Sequence, residues 1–356
     1  MKTRVYLFVL VCLLGWGLMF SVFSQPVSAQ AAKPASIRLV YGNQNPETGW
    51  EVVNCSKPWI QKVKEATKGV VDIQGHYAQS LFKGTDALEA IKGGQADLGF
   101  IAMGFFPGVA SLSEVITLPF LPIPSSEAAG AVLWQLCEKF PSMQKQYAGI
   151  KVLNFIGLGP FVWIGRDKAI KTIADFKGLK LRSLGGPPTD MLKALGAVPV
   201  FMGINDVYLN IEKGVIDGAL LPWEAMLSYK PYEIAKNFTY APFHQAFFLI
   251  GMNEKKWNSL SPDVQKQIMS VSGRNGSAWW SYEMSDRTFE EGRKIVKSKG
   301  TQMIEFTPPP DEIEKWRKVG GEPTWDKWVK DNEAKGFKEA KEVLDTTVKM
   351  LKEYKK

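Results

Sequence analysis

Arg182 is the side chain in this sequence best placed to hold a charged ligand. It closes the run LKLR (179–182), just before Ser183, Leu184 and the turn Gly185-Gly186-Pro187-Pro188. A guanidinium stays charged at physiological pH and presents five donors in a fixed fork, which fits a carboxylate through two parallel hydrogen bonds. An arginine that merely caps a strand end at the surface is the alternative reading. Catalytic chemistry has little to build on. His76 and His244 are the only histidines, no HExxH or clustered Cys/His spacing occurs, and a zinc or histidine-based centre lacks its ligands. Asp217 and Glu224 are the obvious acids, yet neither has a histidine placed beside it. Gly157-Leu158-Gly159 lacks a third glycine at nucleotide-binding spacing and reads as a turn. These residues favour binding over catalysis, with no cofactor and no metal expected.

The elements that must position Arg182 follow from the periodicity of residues 173–224. The spacing predicts a strand (179–182), the glycine-proline turn, a helix (189–195), a strand (198–202), a helix (205–213) and a short strand (215–219). Strands alternating with helices imply βαβ units on a parallel sheet, whose ligands bind beyond the carboxyl ends of strands. The same reasoning applies upstream to strands at 37–43, 70–73 and 97–103. It brings Asn45 in the first loop and Met103-Gly104 at the third strand end into consideration. Strands are also predicted at 151–156, 161–164, 242–252 and 301–306. Ser125 or Ser126 caps a helix running to Phe140. Ser261-Pro262-Asp263 is a strong helix start. The pattern then runs to Lys299-Gly300 either as one helix, about 57 Å long at 1.5 Å per residue, or as two broken at Ser272-Gly273. Charged helices at 311–319 and 331–354 close the chain.

The ends and the composition narrow the setting. Lys2 and Arg4 precede an apolar run from Val5 to about Phe23, and Val27-Ser28-Ala29 forms a small-x-small motif, so a secretory signal peptide cut near Ala29 is expected. Cys12 lies inside that run without the small residues that precede a lipidated cysteine. The 44 basic against 36 acidic residues give a formal charge of +8. Loss of Lys2 and Arg4 lowers it by two, to +6. The lysines are scattered among acids, which argues against nucleic acid. Cys55 and Cys137 sit among apolar neighbours and are expected to be buried free thiols, a bridge between them in an oxidising compartment being the alternative.

FKGLKLR (176–182), ALGAVPV (194–200), NDVY (205–208) and GVIDG (214–218) form an ordered set, preceded by GTDALEAIKGGQADLGF (84–100), FFPG (105–108) and LPFL (118–121). The set resembles the DctP-type solute receptors of tripartite ATP-independent periplasmic (TRAP) transporters. The resemblance implies an α/β, two-domain periplasmic-binding-protein (type II-like) fold with a long helix spanning both domains. It assigns residues 30–158 and 243–275 to the first domain and 159–242 and 276–356 to the second. It also implies a periplasmic receptor, expected to be monomeric, that delivers an organic acid anion to integral membrane TRAP permease subunits, with Arg182 pairing to the carboxylate.

Two departures refine that expectation. Many members carry a second arginine entering the second domain, where Phe161-Val162 stand here; Arg166 comes several residues late. Some relatives that bind 2-oxo acids with a sodium ion carry a Glu-Trp pair where Ala219-Leu220 stand here, and Glu224 comes late. The expected ligand is thus a monocarboxylate with an apolar or aromatic body, a C4-dicarboxylate being the alternative. Aromatics are dense nearby, among them Phe161, Trp163, Trp223, Phe243, Phe247 and Phe248. The candidate ligand set is Arg182 as clamp and Trp223 as cover, with Phe161, Gly185, Gly186, Met103, Asn45 and Phe247 around them. Service to a sensor kinase is a further reading, and a secreted enzyme a weaker one.

Overall fold

A computed structural model describes residues 36–355 of the chain. The expected leader and its cleavage motif lie outside these residues. Eleven strands are described: β1 (Ile37–Gly42), β2 (Val71–His76), β3 (Leu98–Ala102), β4 (Ile150–Leu158), β5 (Val162–Gly165), β6 (Lys180–Ser183), β7 (Val198–Phe201), β8 (Gly218–Leu221), β9 (Asn237–Thr239), β10 (Ala246–Asn253) and β11 (Ile304–Phe306). They make two sheets, β2-β1-β3-β10-β4 and β11-β9-β5-β8-β6-β7, each the centre of one lobe.

Neither sheet is wholly parallel, contrary to the simple βαβ expectation. β1 runs parallel to β2 and β3, and β6 to β7 and β8, as the alternating pattern requires. β10 enters the first sheet antiparallel to both β3 and β4, and β5 lies antiparallel to β8 and β9. The physical reason is that the chain changes lobe between β4 and β5 and again between β9 and β10, so each returning strand arrives from the opposite end. β10 is buried along its whole length, which explains why its sequence, AFFLIGMN, is a continuous apolar run without alternation.

The helix expected over 261–300 is broken. Ser261 caps Pro262–Ser270 through its side chain, as the sequence indicates, but Gly273 then takes a left-handed φ of +67° that a helix interior does not allow. A second helical run starts there, Gly273–Ser281, and passes through a π-helical turn, Tyr282–Asp286, into Arg287–Ser298. It covers β4, the edge of the first sheet, with serines. The Oγ atoms of Ser277, Ser281 and Ser285 each accept from a β4-side amide, Phe155, Gly157 and Gly159, all at 2.9 Å. Four residues of helix rise about 6 Å and two residues of strand about 6.6 Å, so one serine per turn meets every second amide. The zipper protects the strand edge and ties the helix to the first lobe as far as Ser285.

The C-terminal helices require a correction to the expected domains. Helices Glu322–Ala334 and Ala340–Glu353 pack on the first lobe, although residues 276–356 were expected in the second. Trp328 Nε1 donates to the Ser111 carbonyl at 2.9 Å and Trp325 Nε1 to that of Pro119 at 2.8 Å. Their apolar stripe, carried by Trp328, Val343, Leu344 and Leu351, joins the core beneath β3 and β10. Cys55 and Cys137 are buried and free, and burial pushes the Cys137 thiol up to about 12. No helix of the described residues is long and apolar enough to cross a membrane.

Candidate functional site

Strand ends from both sheets converge on one cavity. The loop after β1 supplies Gln44 and Asn45, and β3 with its exit supplies Phe100, Ala102 and Phe105. Leu158 and Phe161 come from the β4–β5 crossing, Arg182 and Leu184 from β6 and its exit, and Pro222, Glu224, Ala225 and Tyr229 from beyond β8. Phe248 of β10, Ile204 and Met284 complete the wall. As the lobes stand, these side chains nearly fill the cavity and leave about 30 Å³, room for a water or two.

Arg182 is buried, 5% exposed, on β6 between β7 and β8. Its Nε donates to the Met202 carbonyl at 3.3 Å, and among the described residues neither Nη has a hydrogen-bond partner and no acid lies within ion-pair distance. Burial lowers its pKa to about 10, partly offset by Tyr229, so it remains a cation at neutral pH. The wall facing it is aromatic: the Phe100 and Phe248 rings stack at 5.0 Å, with Phe105 and Phe161 beside them. His244 adds no charge. Its Nδ1–H donates to the Gln245 carbonyl at 3.1 Å, and burial, with the Arg182 charge, lowers its pKa to about 4.

Opposite the arginine lies an acidic, hydrogen-bonded corner that joins the lobes. Glu51 is fully buried and accepts from Asn43 Nδ2 and Asn45 Nδ2 at 2.8 Å each, and from Ser56 Oγ. Tyr229 OH donates to Asn45 Oδ1 at 2.8 Å, and the Trp50 amide to Ser228 Oγ at 3.1 Å. Ser228 in turn donates to Glu224 Oε1 at 2.7 Å. Burial raises the pKa of both acids, with Glu51 adding to the rise on Glu224, which stands at about 7. Among the described residues no group of three or more His, Cys, Asp or Glu side chains could hold a metal ion.

The candidates from sequence fall into three places. Arg182, Phe161 and Asn45 line the cavity. Gly185, Gly186, Met103 and Phe247 line a second, smaller space of about 20 Å³, shared with Glu114, His244 and Leu184. Gly185 and Gly186 both take left-handed φ, +94° and +62°, and so carry the turn between β6 and its helix. Trp223 does not cover the cavity: its ring is 2% exposed and stacks on Phe238 at 5.9 Å in the core of the second lobe. The reading of Trp223 as a cover is thus corrected, because residue 223 opens the helix Trp223–Tyr229 and its side chain turns back under the sheet. Sequence reasoning missed Phe100, Phe105, Tyr229 and the cavity role of Phe248. Strand alternation could have found Phe248, since its neighbour Phe247 must point to the other face.

The chain also matches known proteins. The profile of the bacterial extracellular solute-binding proteins, family 7 (DctP), matches residues 43–331. The chain belongs to that family. A C4-dicarboxylate-binding periplasmic protein, DctP of Rhodobacter capsulatus, is 28% identical over 257 residues, 71% of this chain and 75% of that protein. Two solved TRAP solute-binding proteins share the two-lobed fold at 27% identity and a TM-score of 0.82. One, from Rhodoferax ferrireducens T118, holds copurified benzoate, with 89% of this chain and 98% of that one covered. The other, from a marine metagenome and specific for aromatic acid ligands, holds 3-hydroxybenzoate, with 90% and 100% covered. The protein is therefore a solute-binding protein of the TRAP type, a family of receptors for small organic acids.

Proposed function

We propose that this family 7 receptor captures an aromatic or similarly apolar monocarboxylate, with Arg182 clamping the carboxylate, and hands it to TRAP permease subunits without chemical change. The observation that carries the reading is the pairing of one buried guanidinium, whose Nη groups have no partner among the described residues, with a wall of four phenylalanines in the same cavity. A second carboxylate would find Phe161 where many relatives have another arginine. Leaving it buried without a cation costs several kcal/mol, enough to disfavour C4-dicarboxylates at ordinary concentrations. An aromatic acid needs more room than the side chains leave as the lobes stand, since even benzene takes a cavity of about 150 Å³, so entry requires the lobes to part. The relatives holding benzoate and 3-hydroxybenzoate support the same class.

On this reading the two lobes close over the ligand about the crossings near Phe161 and Pro242, the long helix flexing beyond Ser285. The chain acts as a monomeric periplasmic protein, exported by its leader and cut near Ala29. Calorimetry with benzoate against succinate or malate tests the proposal. Benzoate should bind, Arg182→Lys should weaken it through loss of the bidentate fork, and Arg182→Ala should nearly abolish it. Tight succinate binding, or full benzoate affinity in Arg182→Ala, defeats the proposal.

A further inference from the structure

Glu224 is a buried acid on the wall of this cavity that the monocarboxylate reading leaves unused. It is 3% exposed, its side chain is hydrogen-bonded through Ser228 Oγ to Oε1, and its acidic neighbour is Glu51. A carboxyl group has about four lone-pair sites, so acceptor capacity remains after Ser228 Oγ and the Glu51 backbone amide, which both donate to it, are counted. Pro222, Ala225, Ile204 and Met284 of the same wall are apolar, and the side-chain donors that line the cavity, Gln44, Asn45, Arg182 and Tyr229, make no hydrogen bond to Glu224. An acid on a cavity wall with acceptor sites left over can take a further hydrogen bond from a ligand.

The geometry points to Glu224 as a second recognition point: the preferred ligand is a hydroxylated aromatic carboxylic acid whose carboxylate sits on Arg182 and whose ring hydroxyl donates to the Glu224 carboxyl. This rests on the monocarboxylate reading and adds the polarity of the ligand's far end. A hydroxyl suits the acid in either protonation state, because a carboxyl oxygen accepts whether or not the group carries its proton. A second ligand carboxylate at the same place meets Glu224 as a competing acid with no cation between them. The residue that selects a hydroxyl therefore also rejects a diacid.

Calorimetry on the wild-type protein with benzoate, 3-hydroxybenzoate and 4-hydroxybenzoate gives the affinity ratio of hydroxylated to plain acid, and Glu224→Gln and Glu224→Met repeat it. Taking the ratio within one variant cancels any effect on lobe closure shared by the ligands. At least one hydroxybenzoate should bind the wild type roughly tenfold or more tightly than benzoate. Glu224→Gln, which keeps an acceptor oxygen, should retain part of that preference, and Glu224→Met should bring the ratio to about one. Should Glu224→Met fail to fold, Glu224→Ala serves the same comparison. A ratio near one in the wild type, or an undiminished ratio in the apolar variant, overturns the assignment to Glu224 and leaves the monocarboxylate reading standing. Binding of none of the three acids overturns both.

Discussion

Arg182→Met should stabilise the ligand-free protein while removing its affinity for aromatic acids. In the folded chain the guanidinium is desolvated and its one hydrogen bond, to the Met202 carbonyl, is long at 3.3 Å. Burial brings its pKa down to about 10. At about 1.4 kcal/mol for each tenfold change in proton affinity, that is roughly 3 kcal/mol against the charged form. The sign holds across the working range: below pH 10 the group is protonated both folded and unfolded, so the cost is fully present at neutral pH, and it is relieved only as pH rises above about 10. Methionine fills much of the same volume without charge, and replacing buried ions by apolar residues is often stabilising by about 1–4 kcal/mol. The gain is an upper bound, because opening the cleft lets water reach the guanidinium. Urea denaturation at pH 7 without ligand measures it, alongside calorimetry with benzoate. A loss of stability of about 1 kcal/mol or more, or retained benzoate affinity, would refute the account of Arg182 as an uncompensated cation awaiting an anion.

Three further outcomes are expected. Ser281→Ala removes the acceptor for the Gly157 amide and should cost about 1–3 kcal/mol in urea denaturation, with the benzoate–succinate preference kept. Trp223→Ala should act as a core deletion, costing about 3–5 kcal/mol of stability; a loss of affinity with unchanged stability would restore Trp223 as a ligand contact. Glu224 has a folded pKa raised to about 7, so its contribution to stability is full below its ordinary carboxylate range and is lost as pH rises toward 7. His244, lowered to about 4, works in the opposite direction. The test is therefore the difference between wild type and Glu224→Gln across pH 4.5 to 7.5, and parallel curves would count against a buried protonated acid.

Much of the second sheet was legible because its signals are local. The run LKLR, the glycine turn and the apolar periods on either side led to β6, the helix Gly186–Ala194 and β7 with errors of a residue or a few, and they put Arg182 at the right place. What failed was what depends on distant partners. β9 is three residues long and exists because β5 and β11 flank it, so no period announces it. The C-terminal helices carry their apolar stripe openly, but nothing in the stripe says which lobe it covers. Trp223 and Phe247 were misplaced for a related reason: an aromatic beside a strand end can face ligand or core, and a single residue of register decides. The acidic corner was invisible, since Tyr229 lies 184 positions from Asn45 and the two meet only where the second lobe touches the first.

The placement of charge and wall on different lobes has an energetic meaning. Arg182 belongs to the second sheet, whereas Phe100 and Phe248, which line the cavity with it, belong to the first, and Phe105 follows β3. Bringing the lobes together around an uncompensated guanidinium therefore adds to the burial that already lowers its pKa, and carries a cost. On the proposed reading, a carboxylate on the two Nη groups would offset that cost and add charge-assisted hydrogen bonds in a site where water no longer competes. The affinity for the anion and the reluctance to close without it are then one quantity seen from two sides. Closure favoured by a neutral aromatic such as benzyl alcohol as strongly as by benzoate, measured by small-angle scattering at saturation, would separate the two and show that the apolar wall alone drives the lobes together.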